Sequence, residues 1–374
     1  SRRRNASGAA GPDSSSDWPL PRARLKALKS AICASAASWS TSSIASRASA
    51  VSGRLSSTSA AASTPAESPA ASESAPAEGS GEVPKGDGTQ TIYLVSKGFQ
   101  HRFWQAVNEG AKQAADEYGY KIQFAGPDDE TKVTQQLDQL KTALDSKPAA
   151  IGFAALDSGA ASSVLDQIKA ADIPVIAFDS GVDSDIPLTT VSTDNTAAAA
   201  AAAEHMSELI GGKGTVGLVC HDQTSRTGQE RCQGFQDWMK ANAPDITLLE
   251  PQYAGEVGLA ANTAKAMITA NPDMVGIYGT NEAAAIGALQ GTTESGKDLT
   301  VVGFDSGKAQ LDAIRNGEQA GAITQSPVKM GYLTVVAAIR AVDGLEVPAT
   351  IDSGFAWYDA TNIDDPEIAA NLYE

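Results

Sequence analysis

Asp179 and Asp305 each close a short apolar run, Ile173-Pro-Val-Ile-Ala-Phe-Asp179 and Leu299-Thr-Val-Val-Gly-Phe-Asp305. A carboxylate accepts two hydrogen bonds at once, which suits adjacent hydroxyls on a polyol. Apolar runs of this length, bounded by polar turns, read as strands buried on both faces of a parallel sheet. In an open α/β sheet, ligands gather beyond the carboxyl ends of the strands. The alternative for each Asp is a helix N-cap. Their matched positions in two similar halves of the chain favour a pair of ligand-holding carboxylates.

Further candidates stand at other strand ends. Ser96-Lys-Gly-Phe-Gln-His-Arg-Phe-Trp104 follows the first strand pattern and enters a helix. Phe103 and Trp104 are core residues by default, but an aromatic pair there can also lie against the C–H face of a sugar ring. Their clustering with Lys97 and His101 favours the site wall. Arg231 can donate a planar fork to hydroxyl or ring oxygens, with an exposed i,i+4 partner for nearby acids as the alternative. Asn281 is either a ligand contact or an N-cap. Gln325 ends a strand just before Pro327, where the chain can cross between lobes.

No nucleophile–base pair converges: the serines lack a G-x-S-x-G turn, and Cys220 and His221 are only sequence neighbours. The set reads as recognition without reaction, hence not an enzyme. Three scattered histidines argue against a metal cluster, and without GxGxxG or Walker patterns no cofactor is expected. Cys220 and Cys232 can pair if the protein is exported; two small buried residues is the preferred reading.

From Thr91 the chain alternates strand and helix patterns twice over. The first series runs through Thr91–Ser96, Lys121–Phe124, Ala149–Phe153 and Pro174–Phe178, the second through Gly214–Cys220, Ile246–Leu249, Met274–Tyr278, Leu299–Phe304 and Ala320–Thr324. Strict βα alternation means parallel sheets with right-handed crossovers, here two doubly wound α/β lobes. Residues 1–90 are rich in Ser, Ala and Pro and read as a disordered leader and linker, with 62–90 a tether. The start is basic and Cys33 offers a lipid-anchoring position, yet Leu25–Ile32 is interrupted by Lys26 and Lys29, so no convincing signal peptide forms. An upstream or misread translation is one account of residues 1–60.

The formal charge of -17 hides an asymmetry, because residues 1–60 hold nine Lys and Arg against Asp13 and Asp17. The remainder has 19 basic and 43 acidic residues, which argues against nucleic-acid binding. No apolar run is long enough to span a membrane.

Residues 91–345 resemble the periplasmic sugar-binding proteins of the ribose/galactose type, which serve ABC importers and share a fold with the ligand domain of lac-repressor-like regulators. The residues carrying the resemblance are Phe103-Trp104, Ile173–Asp179, Thr193-Asp-Asn195, Glu230-Arg-Cys-Gln-Gly-Phe235, Thr280-Asn-Glu282, Val301–Asp305 and Gln325-Ser-Pro327. It implies the periplasmic binding protein type I fold: two lobes joined by a three-strand hinge, closing over a sugar. The implied division is residues 91–192 plus 326–350 for the N-terminal lobe and 193–325 plus 351–374 for the C-terminal lobe. The implied ligand set is Phe103, Trp104, Asp179, Arg231, Asn281, Asp305 and Gln325, with Lys97 and His101 where the ribose-type pattern has small polar residues. Ser180 stands where that pattern has Arg, and an aromatic expected near Gly255 is absent unless Tyr253 fills in. Lys97, Gly126-Pro-Asp-Asp-Glu130 and Asp179-Ser180 lean towards the subfamily binding a furanosyl quorum signal or rhamnose. A pentose, hexose, deoxysugar or polyol is therefore expected, with an ABC permease as partner, an extracytoplasmic monomer as the state, and ligand sensing for a transcription regulator or chemoreceptor as the alternative.

Overall fold

The computed structural model of the protein describes residues 82–373, so the leader, the Cys33 anchor and most of the tether lie outside the described residues. The expected linker ends at residue 90, but the chain joins the folded body earlier. The Gly86 and Gly88 N–H groups donate to the Tyr118 and Gly119 carbonyls at 2.7 and 2.9 Å. Gly86 and Gly119 approach so closely that a Cβ on either would meet the other's carbonyl oxygen at 2.7 Å.

The uninterrupted apolar runs become central strands, and the amphipathic stretches between them cover both sheet faces. The first series gives β1 (Thr91–Val95), α1 (Arg102–Tyr118), β2 (Lys121–Ala125), α2 (Val133–Asp145), β3 (Ala150–Phe153), α3 (Ser162–Ala170), β4 (Val175–Phe178) and β5 (Thr190–Ser192). The second gives α4 (Asn195–Leu209), β6 (Gly214–Cys220), α5 (Arg226–Asn242), β7 (Ile246–Leu248), β8 (Gln252–Tyr253), α6 (Val257–Ala270), β9 (Met274–Gly279), α7 (Glu282–Ser295), β10 (Thr300–Phe304), α8 (Lys308–Arg315) and β11 (Gly321–Gln325). The chain closes with α9 (Pro327–Val342), β12 (Thr350–Asp352), β13 (Phe355–Tyr358) and α10 (Pro366–Ala369).

One sheet runs β12-β5-β4-β3-β1-β2 and the other β13-β11-β10-β9-β6-β7, with β8 also on β6. In both, strand order reverses beside the first strand of the series, which opens a crevice at the carboxyl ends. Two doubly wound α/β lobes result. The chain crosses between them three times, from β5 to α4, from β11 to α9 and from β12 to β13. The return of α9 rests on glycine: a Cβ on Gly110 would collide with the Val328 carbonyl, and one on Gly331 with the Val107 carbonyl. These absences let α1 and α9 touch backbone to backbone over the core of Ile92, Leu94, Val107, Met330 and Val335.

Three features depart from the sequence reading. β12 pairs with β5 in the first sheet, although residues from 351 onward were expected with the second lobe. β13 pairs antiparallel to β11, a reversal that βα alternation does not announce. Cys220 and Cys232 form a disulfide, so two unpaired buried thiols is the wrong reading. The last residue of β6 and the seventh of α5 both face inward across the short loop between them, which brings their Cα atoms to 5.7 Å.

Candidate functional site

Lys97 and Asp179 leave the carboxyl ends of β1 and β4 and are buried together, Nζ to Oδ2 3.8 Å. Nζ also donates to Thr227 Oγ1 on α5 at 3.1 Å, so this lysine joins one lobe to the other. Burial works against the ammonium, but Glu130, Asp179 and Asp222 outweigh it and hold the Lys97 pKa above its usual value. Asp179 is pushed up to about 6, because burial costs the carboxylate more than Lys97 and Arg231 return.

Asp305 holds the matching position after β10. Its Oδ1 accepts from Gln325 Nε2 at 2.6 Å and its Oδ2 from the Glu282 N–H at 3.0 Å, with Arg231 4.0 Å away. Gln325 Oε1 in turn accepts from Thr193 Oγ1 at 2.9 Å. Asp305 does not cap the helix that follows it: the N-cap of α8 is Gly307. Asp194, not Asp179, caps α4.

Arg231 is 3 % exposed, which excludes the surface i,i+4 alternative. Its Nε donates to Asn195 Oδ1 at 2.7 Å and Nη1 to the Thr280 carbonyl at 3.3 Å, while the guanidinium lies 3.8 Å above the Phe304 ring. Fixed on three sides, it presents a preoriented cation beside Asp305. Asn281 is the N-cap of α7, its Oδ1 accepting from the Ala284 N–H at 2.9 Å.

Trp104 is 1 % exposed and packs edge-on against Phe103 and Phe178, its Nε1 donating to Glu130 Oε1 at 2.9 Å. It sits in the first lobe's core, whereas clustering with Lys97 and His101 favoured the site wall. Phe103 is also buried, with its ring 5.9 Å from Tyr373. His101 caps α1 through Nδ1, which accepts from the Phe103 N–H at 3.2 Å, and its Nε2 is 3.0 Å from Glu282 Oε2 in the other lobe. Burial opposes charge on the ring, yet the Glu282 hydrogen bond and charge push its pKa up to about 9. Because Nδ1 can accept only while bare, the cap restrains that rise.

Sequence reasoning missed several neighbours. His221 and Asp222 follow β6 as Lys97 follows β1, so the strand-end rule could have found them. Thr280 Oγ1 accepts from the His221 N–H at 2.9 Å and lies 2.7 Å from Nδ1. On the other side of the ring, Nε2 lies 3.5 Å from Asp222 Oδ2. Burial, with Lys97 and Arg231 nearby, pulls His221 down to about 4. Thr227 had no local signal and is found only through Lys97; Glu130, Asn195 and Glu282 stand in motifs that carry the resemblance, but their partners Trp104, Arg231 and His101 are not legible there.

The lobes also meet away from these groups. Arg226 Nη2 donates to Asp183 Oδ1 at 2.6 Å, and the Ser158 N–H donates to the Thr224 carbonyl at 3.0 Å. Two carboxylates, two cations and several amides and hydroxyls thus converge between two lobes in contact. Such a set can take several hydroxyl groups of one small molecule at once. Among the described residues, no group of three His, Cys, Asp or Glu side chains is placed to hold a metal ion.

A model of the periplasmic binding protein domain matches residues 92–346. The ribose import binding protein of Bacillus subtilis is 24 % identical over 264 residues, 70 % of this chain and 85 % of that protein. An ABC transporter solute-binding protein from Agrobacterium vitis, solved with bound α-D-tagatopyranose, is 30 % identical with a TM-score of 0.74, covering 76 % of this chain and 100 % of that one. A Brachyspira murdochii structure described as an ABC transporter, LacI family transcriptional regulator, is 38 % identical with a TM-score of 0.67, covering 76 % and 99 %.

Proposed function

The chain belongs to the periplasmic binding protein domain family, and on that footing we propose that it is an extracytoplasmic solute-binding protein. It captures a sugar or polyol between its lobes and delivers it to the membrane permease of an ABC importer. The observation that carries the reading is the buried pair Asp179 and Asp305, one per lobe, each beside a cation and neither capping the helix that follows it. The ribose and tagatopyranose named for the two sugar-binding relatives support the same ligand class. Asp179, Asp305, Arg231, Lys97, Gln325 and Phe103 grip the ligand; His101, Asn281 and Trp104 shape its surroundings. The protein works as a monomer and carries out no reaction. Residues 82–192 with 326–352 move as one lobe, and residues 193–325 with those from β13 onward as the other.

A thermal-shift panel of pentoses, hexoses, deoxysugars, polyols and phosphorylated sugars tests this. A true ligand at 100 times its dissociation constant stabilises by about 2.7 kcal/mol. If no sugar or polyol shifts the melting temperature, the reading fails. A sensing role is the second reading, favoured by the name of the Brachyspira structure; it keeps the same cleft and replaces the permease with a regulatory partner. Co-purification with membrane permease subunits separates the two.

A further inference from the structure

The segment after β13 belongs to the second lobe yet ends against the first. Ile363, Ile368 and Leu372 pack on Leu311, Ile314, Ala322 and Tyr358 of the second lobe, and Thr324 Oγ1 lies 3.3 Å from the Asn371 carbonyl. This base delivers Tyr373 to the site. The Tyr373 hydroxyl accepts from the Ser306 N–H at 3.2 Å, one residue after Asp305. Its ring then leaves the second lobe. It stands edge-on to Phe103 at 5.9 Å and to His101 at 6.1 Å, both at the start of α1, and it is buried with the first lobe's core.

We propose that Tyr373 is a positioning residue of the cleft, a clasp anchored on the second lobe that holds Phe103 and the first lobe in the closed arrangement over the ligand. The clasp deepens the sugar-binding reading above and rests on it. Opening the lobes must part the Tyr373 ring from Phe103 and His101, since the hydroxyl and the apolar base bind the tail to the other side. Edge-to-face aromatic pairs add to the area they bury, so the clasp favours the closed form. Burial and the nearby Asp305 and Glu282 charges keep the phenol protonated well beyond neutral pH. With its oxygen already accepting from Ser306, the hydroxyl keeps a proton to donate.

The test uses the full chain with D-ribose and D-tagatose as probes. Tyr373→Ala is expected to speed sugar dissociation about tenfold while leaving association within about twofold, since closed-state contacts act mainly on release. Tyr373→Phe keeps the ring and loses the Ser306 anchor, so it should fall between wild type and Tyr373→Ala. A merely structural role would instead lower stability and leave the dissociation rate unchanged. Dissociation within twofold of wild type in both variants overturns the clasp. If neither sugar binds the wild type, ligand capture of these sugars fails separately. The clasp is then judged by scattering without ligand, where Tyr373→Ala must give a larger radius of gyration than wild type, and identical profiles overturn it.

Discussion

Asp179 and Asp305 end corresponding strands of the two sheets, and both carry left-handed backbone, with φ of 57° and 77°. Outside glycine this conformation costs about 1–2 kcal/mol, though Asp tolerates it better than most. The same strained turn at both strand ends aims each carboxylate at a buried cation, Lys97 in one lobe and Arg231 in the other.

Neutralising either carboxylate should weaken sugar binding by about 1.5–3 kcal/mol, the range of a charged hydrogen bond. Asn keeps the shape and accepts left-handed backbone, so Asp179→Asn and Asp305→Asn isolate the charge. Calorimetry returning an affinity within twofold of wild type would remove that residue from the ligand set.

Two buried groups make opposing contributions to stability between pH 4 and 6.5. Asp179, raised to about 6, keeps a proton in the folded state that the unfolded chain has released above about 4, so its contribution falls as pH rises from 4 to 6. His221, lowered to about 4, refuses a proton that the unfolded chain takes up below 6.5, so its contribution rises with pH over 4 to 6.5. Each is worth at most about 3 kcal/mol. Urea midpoints at pH 4.5 and 6.5 should therefore diverge in the variants: Asp179→Asn gains stability towards pH 6.5 relative to wild type, and His221→Asn loses it. Parallel profiles for all three proteins would contradict these protonation states.

The alkaline limb belongs to His101. Its pKa, raised to about 9, gives stability that is present below 6.5 and lost as pH climbs through 9. The side chain is 39 % exposed, so solvent screens much of the effect. Glu282→Gln should flatten the slope of stability between pH 7 and 9.5, and an unchanged slope would assign it elsewhere.

The Cys220–Cys232 bond closes a short loop carrying His221, Asp222 and Ser225. In the chain-entropy model a loop of this size is worth about 3 kcal/mol. Cys220→Ala with Cys232→Ala should lower unfolding free energy by that order and also weaken sugar binding, because the loop presents Asp222 and starts α5. Unfolding curves with and without reductant check it; coincident curves would mean the bond does not constrain the chain.

Trp104→Ala should behave as a core truncation and cost about 3–5 kcal/mol of stability. Trp104→Phe should cost less while leaving Glu130 without its indole partner. Normal stability for Trp104→Ala would return this ring to the wall of the site.

Local pattern was enough to read the repeating βα order, the burial of runs such as Val175–Phe178 and Thr300–Phe304, and the strand-end positions of Lys97, Asp179, Asp305 and Gln325. Period and apolar content are local properties, and the crevice at strand ends follows from topology alone. Which groups meet depends on how the folded chain packs. Gln325 finds Thr193 from 132 residues away, Arg231 finds Asn195 from 36, and Lys97 reaches Thr227 from 130. The short strands β5, β12 and β13 exist because a neighbouring strand accepts their hydrogen bonds, not because of their own pattern. Trp104 was drawn into the core by Phe178 and Glu130, and Tyr373 into the cleft by Ser306 and Phe103. Hydrogen bonds and ring contacts between distant segments depend on where the backbone returns, which no local spacing encodes.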